Sequence, residues 1–249
     1  MRRLLHEMNP SVKFLAVTAC ILTLAFFFNP WTPLLFFAGV VLLQLLLSQT
    51  NWKRWSLAML PFLIGAFGYF WTTLVFGQPG DSPVLWTIGT IDITAQQWEL
   101  AWSLSLRVLA FSSISLLFAF TTNPVHFIQS LMQQWKLSPK LAFSVLISYQ
   151  FLPVLQREFV QLQQAHRIRG TGSRSSTFKR LTESRRLLIP LLAGAVRKAE
   201  RAAFAMEARA FTGEARTHYR EITLAPKDFV LLALFSLVLT ISCSAIFWT

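Results

Sequence analysis

The sequence contains few charged residues, and acidic ones are especially scarce. Charged residues make up 14% of its 249 positions, and Asp and Glu together number 11. An average soluble domain carries about 25% charged residues. Hydrophobic residues make up 54% of the chain, including 23 Phe and 9 Trp. Because so much apolar surface needs lipid as its solvent, the composition excludes an ordinary soluble domain.

Cysteine and histidine are scarce as well. Cys20 and Cys243 both lie inside apolar runs, where we interpret them as apolar fillers rather than as a disulfide or a metal pair. The four histidines are scattered and match no metal-ligand spacing. Gly170-Thr171-Gly172 is not followed by the lysine of a phosphate-binding loop. We therefore predict no metal, no cofactor and no catalytic residue in this chain.

Five apolar stretches are long enough to cross a hydrocarbon core of about 30 Å, which takes roughly 20 helical residues. They cover residues 12–28, 31–48, 56–76, 98–120 and 228–248. The first follows a basic start, as a signal peptide does, but it lacks a small-residue cleavage site and leads straight into the second. We interpret it as a retained helix. The predicted fold class is an all-α integral membrane protein.

The positions of the basic residues set the orientation. Lys and Arg lie before or at the start of the first stretch, at 53–54, at 107, and 17 times between residues 136 and 227. The 77–97 loop has none. Because cytoplasmic loops carry the excess of basic residues, we predict a cytoplasmic N-terminus and an external C-terminus. The predicted domains are residues 1–120 with four spans, 121–227 in the cytoplasm, and 228–249 with the last span.

The net charge of +12 has three interpretations: nucleic-acid binding, contact with anionic lipid, and membrane topology. Most of the excess lies in residues 121–227, where 17 basic residues face six acidic ones. No zinc pattern, recognition motif or stacking module accompanies this charge. We therefore predict no nucleic-acid partner, and contact with the lipid bilayer or with a protein partner remains.

Three amphipathic helices are predicted in this cytoplasmic segment, at about 124–135, 139–169 and 184–211. Asn123-Pro124 and Ser138-Pro139 are N-cap and first-turn signals, and Gly170 ends the second helix. Pro153 and Pro190 are expected to kink the two longer helices. Their apolar stripes are predicted either to pack together or to lie on the membrane. These stripes are Leu141, Val145, Leu152, Leu155, Phe159 and Leu162, and then Leu188, Leu192, Ala195, Ala199, Ala203, Met206 and Ala210.

Both longer helices end in a basic tip, Ile168-Arg169-Gly170 and Ala208-Arg209-Ala210. An arginine there can complement the helix dipole or bind a carboxylate in a bidentate manner. With Thr121-Thr122-Asn123-Pro124 after the fourth span and Asn9-Pro10 before the first, these tips resemble the transmembrane (T) component of energy-coupling factor transporters, the EcfT/CbiQ family. That family marks the ends of two coupling helices with Ala-Arg-Gly. Here Ile168 replaces the first Ala, and Ala210 replaces the second Gly.

The resemblance implies a non-catalytic coupling subunit in the bacterial inner membrane. Its expected partners are two ABC-type ATPase subunits and a small substrate-binding (S) membrane subunit. Arg169 and Arg209, with Gly170, Ala208 and Ala210, are implied to dock into the ATPases. The cargo would be a vitamin, a vitamin precursor such as that of thiamine, or a transition-metal ion such as cobalt or nickel.

Two other functions stay open on the residues alone. An ordinary ABC importer permease carries a Glu-Ala-Ala loop followed by Gly, which Glu200-Arg201-Ala202-Ala203 imitates poorly. A membrane enzyme acting on lipid needs clustered carboxylates or a nucleophile, whereas the acidic residues here are dispersed.

Arg107 is the one basic residue deep inside a predicted span. A charge at that depth marks function or bracing. We expect it to hydrogen-bond backbone carbonyls, or to face the cytoplasmic helices or a subunit interface.

Overall fold

A computed structural model describes residues 8–27, 29–47, 51–77, 83–88, 91–169, 177–211 and 221–244. Within these ranges the chain is almost entirely helical, which confirms the predicted all-α class. The helices are α1 (Pro10–Ala25), α2 (Trp31–Leu47), α3 (Trp52–Phe76), α4 (Ala95–Thr121), α5 (Pro124–Gln134), α6 (Pro139–Ile168), α7 (Thr177–Ala208) and α8 (Pro226–Ser244). The chain forms two compact units, residues 1–130 with 222–249 (the membrane unit) and residues 131–221. We name the second the coupling unit, after the coupling helices that the family resemblance implies there.

Among the described residues, three helices are long and apolar enough to cross a membrane: α3, α4 and α8. The first two predicted spans form shorter apolar helices, because α1 has 16 residues and α2 has 17. At 1.5 Å per residue they are each about 25 Å long. Helix α1 ends at Ala25, before the predicted end of the first stretch at residue 28. At the start of α2, the side chain of Asn29 accepts a hydrogen bond from the backbone N–H of Trp31.

A short β-hairpin joins α3 to α4, where the sequence predicted only a loop. Strands β1 (Val84–Ile88) and β2 (Ile91–Thr94) are antiparallel, with Val84 opposite Thr94. Thr94 and Gln97 then form a capping box at the start of α4. The Gln97 side-chain amide also donates to the backbone carbonyl of Gly77, 2.7 Å away, at the end of α3. The start of α4 is thereby fixed to the end of α3.

The core of the membrane unit lies among α1, α2, α4 and α8. Its largest fully buried apolar side chains include Leu24, Phe36, Val40, Ile114, Leu117 and Phe235. Helix α2 approaches α8 closely at Gly39, where a Cβ atom would lie 2.6 Å from Cγ1 of Val238. A valine methyl cannot swing away as the end of a long side chain can, since β-branching restricts its χ1 angle. Glycine at position 39 is therefore required by packing.

We expect Gly39→Ala to destabilise the membrane unit by about 1–3 kcal/mol, the usual range for overpacking. The measurement is the free energy of unfolding of the purified chain in a denaturing-detergent titration. Val238→Ala removes the clashing methyls, so the double variant Gly39→Ala/Val238→Ala should regain most of the lost stability. Equal stabilities of the single and double variants would show that the two helices do not meet at this point.

In the coupling unit, α6 and α7 run antiparallel. Glu158 in the middle of α6 forms an ion pair with Lys198 of α7. Nearer the start of α6, the ring of Phe143 packs edge-to-face on Phe211, just beyond α7, with centroids 5.3 Å apart. Contact positions therefore move forward along one helix as they move backward along the other.

The prediction that the two apolar stripes pack against each other is wrong, whereas their contact with the membrane stays a prediction. Most of the stripe residues are exposed: Leu141, Val145, Leu152, Phe159, Leu188, Leu192, Ala199, Ala203 and Ala210. Gly194 and Lys198 of α7 face Glu158 of α6 instead. Charged residues and glycine do not contribute to a pattern of apolar residues. The apolar periodicity therefore predicted a neighbouring stripe of each helix as the contact face.

Of the predictions based on proline, the helix start is confirmed and the kinks are not tested. Pro124 begins α5, and Asn123 caps it through a 2.9 Å bond from the Val125 N–H, as predicted. Both long helices continue through Pro153 and Pro190, so the kinks stay predictions. Helix α7 begins at Thr177, earlier than predicted, which puts Pro190 in its fourth turn rather than its first two.

Candidate functional site

Arg169 caps the C-terminal end of α6. Its backbone N–H donates to the carbonyl of Ala165 over 3.1 Å, and its side chain is exposed. Ile168, which replaces alanine in the motif, is 87% exposed. Gly170 lies outside the described residues. A guanidinium at a helix C-terminus is favourably placed in the helix dipole and presents its planar fork to a partner's carboxylate.

The second tip, at the end of α7, has a defined capping geometry. Phe211 N–H donates to the carbonyl of Met206 (3.0 Å), and Ala210 N–H donates to that of Glu207 (2.8 Å). These two bonds form a Schellman motif, in which the residue after the cap adopts a left-handed conformation. That residue is Ala210, with φ of 54°. This turn requires the left-handed backbone conformation, which glycine adopts without steric cost. Arg209, the C-cap residue just before it, is exposed.

We expect Ala210→Gly to stabilise this helix end by about 1 kcal/mol, since a Cβ atom in the left-handed region costs about 1–2 kcal/mol. Ala208 lies inside the helix, so Ala208→Gly is the matched control and should be destabilising by about 0.5–1 kcal/mol. Hydrogen exchange of the amide groups at residues 209–211 reports both effects locally. Slower exchange in Ala208→Gly than in Ala210→Gly would contradict the assigned cap.

The structure places the two arginines far apart. Because α6 and α7 are antiparallel and Phe211 packs on Phe143, Arg209 lies beside the start of α6. Arg169 lies at the other end of α6, about 40 Å away along a straight helix. The two side chains are therefore too distant from each other to bind one small ligand together.

Arg107 donates a hydrogen bond to the backbone carbonyl of Phe27, just beyond the end of α1. This confirms the first of the three roles expected for it. Helix α1 has no basic residue in its own last turn. Arg107 of α4 therefore supplies the cation that complements this helix C-terminus.

Sequence reasoning missed a buried polar cluster at the opposite end of α1. We call it the basal junction, formed by Asn9, Lys13, Thr121, Thr122, Ala225 and Asp228. The Lys13 ammonium group lies 3.1 Å from Thr121 Oγ1 and 3.3 Å from the Thr121 carbonyl, and its side chain is 1% exposed. The Asp228 carboxylate accepts from the backbone N–H groups of Asn9 and Ala225, both at 2.9 Å.

The sequence carried a signal for this cluster. Lys13 lies at the start of one apolar stretch and Asp228 at the start of another, positions that by themselves indicate only the topology and the boundary of a span. A charge in the first turn of a membrane helix has two interpretations: it is solvated at the helix end, or it is buried against a partner residue. Burial decides between them, and Asp228 is 2% exposed.

Comparison with known proteins matches almost the whole chain. The CbiQ family of cobalt transport proteins matches residues 1–219. The chain is 28% identical over 242 residues to the energy-coupling factor transporter transmembrane protein EcfT of Streptococcus equi subsp. equi, covering 93% of this chain and 88% of the relative. It is 30% identical over 239 residues to EcfT of Exiguobacterium sibiricum, covering 92% and 90%.

These likenesses span both the membrane unit and the coupling unit, so they concern the whole architecture rather than one motif. The matched relatives are transmembrane components of bacterial transporters. With three helices long enough to cross a membrane among its described residues, this chain is a bacterial membrane protein of the same kind. It belongs to the CbiQ/EcfT family of transmembrane transporter components, as its tip and Asn-Pro motifs predicted.

Proposed function

We propose that this chain couples two ABC-type ATPase subunits to a small substrate-binding membrane subunit in an ATP-driven importer. The observation that carries the proposal is the placement of Arg169 and Arg209. Both are exposed, both stand at helix C-termini, and they lie at opposite ends of the α6–α7 pair. Two well-separated cationic tips fit two copies of an ATPase better than one partner.

The α6–α7 pair can act as a lever between the two tips. The Glu158–Lys198 ion pair and the Phe143–Phe211 contact join the helices at two levels. When ATP draws the ATPases together, each tip moves with the subunit that holds it, and the joined helices change their angle. That motion passes to the membrane unit and tilts the substrate-binding subunit.

The proposed orientation has the coupling unit and N-terminus in the cytoplasm and the C-terminus outside. Alternating spans put the start of α1, the end of α4 and the start of α8 on one side of the membrane. The basal junction brings these three helix ends together. Positive-inside bias assigns that side to the cytoplasm.

The test is purification of the tagged full-length chain in mild detergent, followed by mass spectrometry of the copurifying proteins. We expect two ATPase copies and one small membrane protein for each copy of this chain. The small subunit then identifies the cargo class among vitamins, vitamin precursors, cobalt and nickel. Substrate binding by the isolated chain, with no small partner, would favour the permease alternative.

A further inference from the structure

We infer that the basal junction is where motion of the coupling unit enters the membrane unit, with Lys13 and Asp228 as its positioning residues. This inference rests on the proposed function. The chain passes between the two units at residues 130–131 and 221–222, and the stretches of the membrane unit that lead to these points start after Thr122 and end before Ala225. The basal junction holds the membrane end of each stretch.

Both connections are bonded to the first turn of α1. At the exit from α4, the Lys13 ammonium group bonds the side chain and carbonyl of Thr121 and reaches Thr122 Oγ1 at 3.5 Å. At the entry to α8, Asp228 accepts the backbone N–H of Asn9. A displacement of either connection therefore acts on the same turn of α1.

Helix dipoles explain why these charges sit where they do. Asn9 caps α1 by accepting the Ser11 N–H at 3.1 Å, and Asp228 reaches back to the Ala225 N–H at the start of α8. The carboxylate thus serves two positive helix N-termini. Lys13 serves the negative C-terminus of α4, and the Asp228 charge also acts electrostatically on it.

Burial makes this arrangement stiff. Lys13, Asp228 and Asn9 are 1%, 2% and 4% exposed. Buried charges hold a fixed geometry because leaving their partners exposes an uncompensated charge to an apolar surrounding. A flexible, solvated connection would absorb movement, whereas this buried cluster transmits it to α1 and through α1 to the helices packed on it.

The test compares hydrogen exchange in the assembled complex with and without ATP plus vanadate, which traps the ATPases closed. In the wild type, trapping should change exchange in both the coupling unit and α1. In Lys13→Met the change in residues 131–221 should persist, while the change in α1 falls at least threefold. Lys53→Met is the matched control, because Lys53 is exposed at the start of α3, and it should respond as the wild type does.

Each outcome of this experiment supports or contradicts either the inference or the proposed function. A wild-type response of α1 in Lys13→Met would overturn the inference, whereas absence of an ATP response in residues 131–221 of the wild type would overturn the proposed function instead. If Lys13→Met does not assemble, Thr121→Val decides, because it removes the hydroxyl acceptor and keeps the carbonyl. It should also weaken the α1 response, and a full response there would sink the inference.

Discussion

Replacing both tip arginines, Arg169→Ala and Arg209→Ala together, is expected to abolish ATP-driven uptake by the assembled transporter. Exposed arginines that dock into a partner's groove are often dominant contacts, with losses of 2 kcal/mol or more on truncation. Because each tip is proposed to hold its own ATPase copy, each loss would weaken binding of that copy by roughly thirtyfold. The measurement is recovery of ATPase subunits on the immobilised chain, alongside uptake in cells. Each single variant should show an intermediate defect.

The matched control is Arg157→Ala with Arg201→Ala. Both side chains are exposed within the same two helices, and their replacement changes net charge by the same amount. If the effect depends on total positive charge, control and tip variants will fail alike. If it depends on placement at the tips, the control retains uptake. Full ATPase recovery by the tip double variant would refute docking through these residues.

The distance between the tips bears on how single variants behave. Since α6 and α7 are antiparallel, the arginines act at opposite ends of the pair and cannot substitute for each other. One lost contact should leave one ATPase held and the other loose. Because ATP closure needs both copies, uptake is expected to fall further than ATPase recovery does in Arg169→Ala or Arg209→Ala alone.

Local signals in the sequence predicted local structure well. Asn123-Pro124 begins α5 as expected, because an asparagine cap and a proline at the first helical position need no information from elsewhere in the chain. The end of α7 was similarly marked by its motif. The left-handed turn at Ala210 was not predicted, because alanine stands there in place of the glycine that marks such turns.

Features that depend on a partner helix were beyond the sequence. The seam of α6 and α7 follows Glu158, Gly194 and Lys198, which no apolar periodicity selects. The hairpin at residues 84–94 lies where the sequence predicted a loop, and its two strands are only five and four residues long. Short strands compete poorly as signals against neighbouring helices of 25 and 27 residues.

Lys13 and Arg107 form a reciprocal arrangement between α1 and α4 that the sequence pattern does not reveal. Lys13 of α1 bonds the carbonyl at the end of α4, and Arg107 of α4 bonds the carbonyl of Phe27 beyond the end of α1. Each helix supplies the cation for the other's C-terminus. The two bonds are about 20 Å apart along the pair, so they fix its antiparallel register at both ends.

Removing either buried charge of the basal junction is expected to destabilise the membrane unit strongly. Asp228→Ala leaves the N–H groups of Asn9 and Ala225 without their acceptor and Lys13 without the opposite charge. Each buried N–H group left without its acceptor typically costs about 1–3 kcal/mol. Lys13→Met should lose a similar amount. The free energy of unfolding in a denaturing-detergent titration measures both.

The double variant Lys13→Met/Asp228→Ala separates charge coupling from simple loss of bonds. If the two charges stabilise each other, the double variant loses less than the sum of the single losses, by at least about 1 kcal/mol, because neither charge is left buried alone. Strict additivity would mean that each charge serves only its own helix end. Asp228→Asn refines the result, since it keeps one oxygen acceptor and removes the charge. Its stability should lie between those of the wild type and Asp228→Ala.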